Sequence, residues 1–306
     1  MSRIVRNAET RKKSSELPSQ GVMGDRIGFM QGRLSPVVGG RVQAFPWDHW
    51  RDEFPLARLH GFRLMEWTLD QEGLYRNPFM TETGQDEIRN RCRDYAVSIP
   101  SLTGDCFMQV PFWHAVGVER LARLRDLGAV IEACGRLGVQ SVVVPLVDEG
   151  RVSNRQQEDD IVAGFQEMTK RLVDARVRIL VESDYPPSEL QRFIERCDPA
   201  LFGINYDIGN SAALGFDPSD EMSAYGHRIG GIHIKDRLRG GTTVPLGTGD
   251  ADFESVFEAL ARVGFVGDVI LQTARADDGH HTAALCRYRD MTAAWLACHP
   301  VSDHAA

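Results

Sequence analysis

The chain lacks the features that would place it in a membrane, outside the cell or on nucleic acid. No apolar run approaches the roughly 18 residues needed to span a bilayer, and no hydrophobic signal segment is visible near the amino terminus. The six cysteines are scattered without a CxxC pair, which is typical of reduced thiols rather than a disulfide frame or a zinc knuckle. Asp and Glu outnumber Lys and Arg by 43 to 35, which argues against nucleic acid as the main partner. We therefore expect a cytoplasmic protein that binds neither nucleic acid nor a membrane.

Several signatures of known enzyme classes are also missing. The sequence has no H-E-x-x-H motif and no Walker phosphate loop, and the Gly-Asn-Ser at 209–211 lacks the closing glycine of a nucleophile elbow. The first predicted strand leads into Met-Gln-Gly-Arg-Leu at 30–34 rather than into a G-x-G-x-x-G fingerprint. Because an open doubly wound sheet usually carries that fingerprint after its first strand, its absence favours a closed barrel over the open alternative.

What the chain does contain is a regular alternation of strand and helix patterns. Short β-rich runs predict strands near 27–30, 62–67, 97–102, 141–146, 178–182, 202–207, 229–234 and 267–272. Amphipathic patterns between them predict helices near 48–60, 84–95, 117–138, 155–176, 188–197, 210–225, 251–263 and 281–298. This alternation predicts one α/β domain, a (β/α)8 TIM barrel over residues 26–299. The polar residues 1–25 predict a flexible extension, and residues 300–306 a short tail.

The last four predicted strands each deliver a polar residue at their carboxyl end. These residues are Glu182, Asp207, His233 and Gln272. Parallel strands of a barrel present such residues at one mouth, which is where barrel enzymes place their active sites. Oxygen ligands with one imidazole suit a divalent cation. We therefore predict a site for one divalent metal ion, with Mn²⁺ as first choice and Co²⁺, Mg²⁺, Zn²⁺ or Fe²⁺ as the others.

Basic residues near the same strand ends are candidates for holding the hydroxyls or phosphate of a substrate. Three of them are arginines, at Arg33, Arg237 and Arg275. Lys235 could serve the same purpose or take part in catalysis, or it could instead pair with Asp236 or Glu182 and set the local charge. The sequence leaves these interpretations open.

Aromatic residues in the predicted loops suit a carbohydrate pocket, because the C–H faces of sugars stack on aromatic rings. The pocket candidates are Trp67, Phe107 and Trp113. The alternative is that they pack the loops against the barrel. A small-molecule sugar is the predicted partner.

Four further side chains at or beyond predicted strand ends could act as an acid or base: Glu66, Asp105, His280 and His281. Asp105 could also bind substrate. A strand-end salt bridge is the alternative for Glu66, and a solvated loop is the alternative for the histidine pair.

The turn at 247–249 (Gly-Thr-Gly) precedes a predicted helix and could seat a phosphate with its free N–H groups. Asp250 and Asp252 stand beside it as candidate helix caps and would repel an anion. We therefore expect that phosphate is not a required feature of the substrate.

The chain resembles the sugar isomerase and epimerase barrels, a superfamily that includes xylose isomerase, ketose 3-epimerases, hexulose-phosphate epimerases, inosose dehydratase and endonuclease IV. The segments similar to its sugar-phosphate isomerase/epimerase branch are 30–36 (MQGRLSP), 43–47 (QAFPW), 61–67 (GFRLMEW), 181–182 (VE), 207–210 (DIGN), 233–236 (HIKD) and 247–249 (GTG). They extend over most of residues 26–298.

The resemblance implies a divalent metal held by Glu, Asp, His and Glu from strands five to eight. The first three correspond to Glu182, Asp207 and His233, whereas Gln272 replaces the second glutamate. In the epimerases of this family two glutamates act on opposite faces of the sugar. Gln272 could still ligate through its amide oxygen, but it cannot accept a proton near pH 7.

The resemblance thus implies isomerisation or epimerisation of a ketose, keto-sugar derivative or sugar phosphate by proton abstraction next to a carbonyl, through an enediolate. Glu182 would be both ligand and base, with Glu66 and Lys235 as further catalytic candidates. A lyase or dehydratase acting on a keto-sugar or keto-inositol is an alternative, because it needs only one base. A sugar-binding barrel without catalysis is a second alternative. The family also implies a homo-oligomer.

Overall fold

The computed structural model describes residues 26–301, in which eight parallel strands form a closed barrel, confirming the predicted TIM-barrel fold. The barrel strands are β1 (Ile27–Met30), β2 (Met65–Thr68), β3 (Ser101–Thr103), β4 (Ser141–Leu146), β5 (Arg178–Ser183), β6 (Phe202–Asp207), β7 (Ile229–Ile234) and β10 (Val269–Leu271). They are neighbours in this order, and β10 pairs with β1 to close the barrel. An antiparallel hairpin of β8 (Asp236–Arg237) and β9 (Thr243–Val244) follows β7. The predictions for residues 1–25 and 302–306 lie outside the described residues.

The barrel strands are buried because helices cover their outer faces and side chains fill the interior. Every residue of β1, β2 and β6 is buried. The strand register places Pro145 beside Glu182 and Asp207 beside His233. Polar residues at the carboxyl ends of β5, β6 and β7 therefore meet at one mouth of the barrel.

The outer layer consists of helices that are held on the barrel by their apolar faces. Their bounds are α1 (Glu53–Leu59), α2 (Glu82–Tyr95), α4 (Gly117–Leu137), α5 (Arg155–Ala175), α6 (Pro187–Ile194), α7 (Ile208–Leu214), α8 (Pro218–Tyr225), α9 (Phe253–Arg262) and α10 (His281–Cys298). The side chain of Asn154 accepts a hydrogen bond at the start of α5, and that of Asp252 does so at the start of α9. Of the helices that the structure describes, none has the length and apolarity to cross a bilayer.

Two features differ from the predicted elements. The single helix expected at 210–225 is two helices, because Gly215 ends α7 at φ +74° and Asp217 caps α8 just before Pro218. The short helix α3 (Asp105–Gln109) and the hairpin of β8 and β9 were not predicted, since segments of two to five residues carry little periodic signal. The start of α3 and the hairpin both contribute residues to the cavity described next.

Candidate active site and metal centre

A cavity of about 520 Å³ opens at the carboxyl ends of the barrel strands. Its wall draws residues from the loops after β1, β3, β4 and β7 and from the ends of β5 and β10. Most of the lining side chains are polar or charged, and they include Arg33, Gln43, Thr103, Asp105, Asp148, Glu182, Asn210, Lys235, Arg237 and Gln272. Such a mouth suits a small polar substrate.

Three of the four predicted metal ligands come together at this mouth. Ligand atoms of Glu182, Asp207 and His233 all lie within 4.8 Å of one another, and the three residues are buried. The Nδ2 atoms of Asn205 and Asn210 donate to the Glu182 carboxylate at 3.2 and 2.8 Å. Two carboxylates and one imidazole in this arrangement fit a divalent cation of the Mn²⁺, Mg²⁺ or Zn²⁺ type.

His233 is clamped between two carboxylates. Its Nε2 lies 2.8 Å from Glu66 Oε1, and its Nδ1 lies 3.0 Å from Glu182 Oε2. Burial alone would lower the pKa of His233, but the charges of Glu66 and Glu182 and their hydrogen bonds raise this pKa to about 10. The clamp fixes the ring so that Nδ1 points at the cluster, as an outer-shell carboxylate does for a metal-bound histidine.

The geometry assigns Glu66 a different task from the predicted acid–base role. Its Oε2 accepts a hydrogen bond from Ser101, and its Oε1 accepts from Thr103 as well as from His233. Glu66 is 1% exposed and does not line the cavity. It therefore orients His233 and has no oxygen left for a substrate proton.

Lys235 lies between two of the predicted metal ligands, Asp207 and Gln272. Its Nζ is 2.6 Å from Asp207 Oδ2 and 3.0 Å from Gln272 Oε1, so it pairs with these residues rather than with Asp236 or Glu182. The Gln272 amide is used at both ends, because its Nε2 donates to Gln43 Oε1 at 3.0 Å. Gln272 thus reaches the cluster through the Lys235 ammonium.

Asp105 lines the cavity from the start of α3. Its Oδ2 accepts a hydrogen bond of 2.6 Å from Gln43 Nε2, so Gln43 bridges Asp105 and Gln272. Burial raises the pKa of Asp105 to about 7, and the nearby charges of Asp70 and Glu182 add to this effect. The carboxyl is therefore balanced between its acid and base forms near neutral pH.

Two of the three candidate arginines line the cavity. Arg33 is held by the carbonyl of Thr273 at 2.9 Å, and Arg237 donates to Asn210 Oδ1 at 2.7 Å. The prediction that Arg275 binds substrate is corrected. Its guanidinium donates to the backbone carbonyls of Gly32 and Ser35, and the residue does not line the cavity.

The prediction of an aromatic sugar pocket is also corrected. The three candidate rings are 0–5% exposed, and none of them lines the cavity: Trp67, Phe107 and Trp113. Trp67 packs among other aromatic rings and donates from Nε1 to Asn77, and Trp113 donates to the carbonyl of Gly150. These residues pack loops against the barrel, where ring burial is more favourable than exposure at a polar mouth.

The turn at 247–249 does not present free N–H groups to a phosphate. The carboxylate of Asp236 accepts from the amides of Gly247 and Gly249 at 2.8 and 2.9 Å and from that of Ala251 at 3.2 Å. The Asp236 carboxylate thus occupies the position that was predicted for a phosphate group. His280 and His281 line a separate surface cleft, so they do not reach the metal cluster.

Three residues that hold this site were not among the predicted ones. Asn205 lies two residues before Asp207 on β6, so alternation along the strand could have shown that both point to the same face. Asn210 lies in the segment at 207–210 that carries the resemblance. Gln43 lies in a loop, and nothing in the sequence indicates that it would lie between Gln272 and Asp105.

A family model for the xylose isomerase-like TIM barrel matches residues 54–289. This match covers well over half of the sequence, and the chain belongs to that family. The protein is accordingly an enzyme of the sugar isomerase and epimerase type.

Similar proteins agree with this assignment. The L-ribulose-5-phosphate 3-epimerase UlaE of Salmonella paratyphi A is 25% identical over 260 residues, covering 81% of this chain and 90% of the relative. The structure of the IolI protein with a bound zinc atom shares the fold with a TM-score of 0.68 at 17% identity, covering 90% of this chain and 100% of that one. A xylose isomerase-like protein of Mycobacterium smegmatis in complex with magnesium has a TM-score of 0.66 at 16% identity, covering 89% and 97%.

Proposed function

We propose that the protein is a divalent-metal-dependent epimerase that acts on the carbon next to the carbonyl of a ketose or keto-sugar. The observation that carries this proposal is the cluster of Glu182, Asp207 and His233 at the mouth of a polar cavity. The similarity to a 3-epimerase of a ketose phosphate supports the type of reaction. The bound zinc and magnesium of the two similar structures support a divalent metal.

The residues of the cluster would bind the metal and move the proton. Glu182, Asp207 and His233 would hold the cation, which supplies a Lewis acid that stabilises negative charge on the carbonyl oxygen. Glu182 would remove the proton from the neighbouring carbon, giving an enediolate. Asn205 and Asn210 fix its carboxylate with two hydrogen bonds, so the base meets the substrate in one orientation.

Arg33 and Arg237 would orient the substrate at the cavity wall. Each guanidinium is held by a hydrogen bond to the protein, at 2.9 Å from Thr273 O and 2.7 Å from Asn210 Oδ1. Both charges can bind sugar hydroxyls, and they can also bind a phosphate. Because Asp236 occupies the amides of the turn at 247–249, we propose that a phosphate group is not required.

Elemental analysis followed by solvent deuterium exchange tests this proposal. The protein loaded with Mn²⁺ should hold about one equivalent, and it should introduce deuterium from D₂O into a ketose and form its epimer. Free ketoses and L-ribulose 5-phosphate should be tested side by side. Asp207→Asn should lose the metal and the exchange together, whereas Asp94→Asn, at an exposed position of α2 outside the cavity, should keep both. A protein that binds no metal at excess Mn²⁺, or that exchanges no deuterium from any of these sugars, would contradict the proposal.

A dehydratase is the second candidate, and Gln272 is the observation that favours it. Elimination of water next to a carbonyl needs one carboxylate base, and Gln272 leaves Glu182 as the carboxylate of the metal cluster that faces the cavity. Appearance of an enone absorbance without epimer would establish this reaction in place of epimerisation.

A further inference from the structure

Because residue 272 is a glutamine, the metal cluster lacks the second carboxylate that a two-base epimerisation would use. Inverting a carbon centre by proton transfer needs a group on each face of the substrate, because a single carboxylate returns the proton to the face from which it came. An amide cannot supply this second group. The rest of the cavity wall therefore has to provide a carboxyl that is free to exchange a proton.

Asp105 differs from every other buried carboxylate in the described part of the chain. Nine Asp and Glu residues are buried there: Glu53, Glu66, Asp70, Asp105, Glu158, Glu182, Asp207, Glu221 and Asp236. In eight of them both oxygens accept hydrogen bonds from the protein. Among the described residues Asp105 has one partner, Gln43, which binds Oδ2 and leaves Oδ1 free.

The free oxygen of Asp105 faces the substrate cavity. Asp105 lines that cavity together with Glu182, and its Oδ1 is accessible to solvent. Asp105 follows β3, and β3 lies across the barrel from β7, which carries His233. Glu182 lies on β5, and β4 stands between β5 and β3, so the two carboxyls reach a substrate from different parts of the cavity wall.

Gln43 gives this carboxyl a fixed position. Its Nε2 donates to Asp105 at 2.6 Å, while its Oε1 accepts from Gln272 Nε2 at 3.0 Å. A glutamate at position 272 would offer no such donor, so the glutamine that removes the second base also supports the Gln43 side chain that holds Asp105. Gln272 and Asp105 are thus connected through Gln43 in one chain of hydrogen bonds.

We propose that Asp105 is the second acid–base group of the epimerase, acting on the face of the reacting carbon opposite to Glu182. The proposal rests on the function proposed above. In one direction Glu182 takes the proton from carbon and the C–H electron pair forms the enediolate. The carboxylic acid of Asp105 then donates its proton to the same carbon from the other face and becomes a carboxylate. Proton exchange of both carboxyls with water restores the starting state, so no further reactant is needed.

The test compares deuterium exchange with inversion for both epimers of the substrate. Asp105→Asn keeps an oxygen that can accept from Gln43, and it should lower the rate of epimerisation by about 10²–10⁴-fold. Starting from the epimer whose proton faces Glu182, deuterium should still enter the recovered substrate within about tenfold of the wild-type rate. Starting from the other epimer, exchange should be lost together with inversion. The matched control Asp94→Asn removes an exposed carboxylate on α2, outside the cavity, and should change neither rate.

The outcomes separate this inference from the proposed function. Equal loss of exchange from both epimers would indicate a structural defect and overturn the role of Asp105, as would epimerisation within about threefold of wild type. Metal content and the unfolding midpoint of the variant show whether the site and fold are intact. A wild-type protein that exchanges no deuterium refutes the proposed function itself, whereas an active wild type with an equally active variant refutes only the role of Asp105.

Discussion

The Asp105 carboxyl should make the stability of the protein depend on pH in a way that one substitution removes. Burial raises the pKa of Asp105 from 3.8 to about 7, with Asp70 and Glu182 as further causes. Between these two pH values the folded protein holds a proton that the unfolded chain has lost. Stability therefore falls as the pH rises from about 4 to about 7, because the folded state binds more protons in that window.

The size of the effect follows from the shift. A difference of roughly 3 pKa units corresponds to about 4 kcal/mol at 1.36 kcal/mol per unit, which is an upper value for a group that opens onto a cavity. Asp105→Asn removes the ionisation but keeps the volume and an acceptor for Gln43. The free energy of unfolding of the variant minus that of the wild type should be about 2–4 kcal/mol larger at pH 8 than at pH 4.5. Among the charged neighbours, Asp70 and Glu182 raise the pKa of Asp105 and His233 lowers it. Arg33 also lies within the range of the Asp105 charge.

Urea unfolding of the two proteins at several pH values measures this gain. Both proteins should be treated with a chelator, because a bound cation would change the electrostatics and stabilise the folded state. Any pH-independent effect of the new amide cancels when the stability differences at pH 4.5 and pH 8 are compared. The exposed Asp94→Asn, outside the cavity, serves as the control and should show no such trend. A difference between wild type and Asp105→Asn that is the same at both pH values would refute the reasoning.

Three further substitutions test the remaining assignments. Glu66→Gln should weaken metal binding by about 10–100-fold while sugar binding to the metal-loaded protein is retained, because the His233 ring loses its charged partner; metal titration measures this. Gln272→Glu should tighten metal binding by about tenfold or more through an added anionic donor, and an unchanged dissociation constant would contradict this. Trp113→Phe should lower the free energy of unfolding by about 1–3 kcal/mol, since the Gly150 carbonyl loses its donor, and should leave the KM for sugar unchanged; a raised KM would return Trp113 to the pocket.

The sequence was sufficient to predict the fold and the core of the candidate site because both depend on strand ends. Apolar runs at a regular spacing predict parallel strands, and a polar residue at the end of such a run lies at the carboxyl mouth whatever the loops do. Glu182, Asp207 and His233 come together for this reason. Glu66 lies within β2 rather than at its end, so this rule does not account for its contact with His233.

Side-chain partners across the mouth could not be predicted, because they depend on distances between loops. Lys235 selects Asp207 and Gln272 over the adjacent Asp236, whose carboxylate is taken up by amides of the turn that follows the hairpin. The aromatic residues show the same limitation. Their composition suits a sugar pocket, yet whether a ring such as Trp67 faces a cavity or the core is decided by tertiary packing.

The separation of Asp105 from the metal cluster has a chemical consequence. A carboxylate bound to a dication is a weakened base, because the cation stabilises its charged form. A paired-glutamate site accepts this weakening at both proton-transfer groups. Here Glu182 belongs to the cluster, whereas burial sets the pKa of Asp105 to about 7, the value at which a carboxyl can both give and take a proton near neutral pH. Both directions use the enzyme form in which one of the two carboxyls, Glu182 or Asp105, holds a proton. We therefore expect kcat/KM in each direction to fall above about pH 7, as Asp105 loses its proton. The profiles of the two directions should be parallel, because the equilibrium constant of an epimerisation fixes the ratio of the two kcat/KM values and does not depend on pH. A kcat/KM that stays constant or rises from about pH 7 to about pH 9 would speak against the role of Asp105.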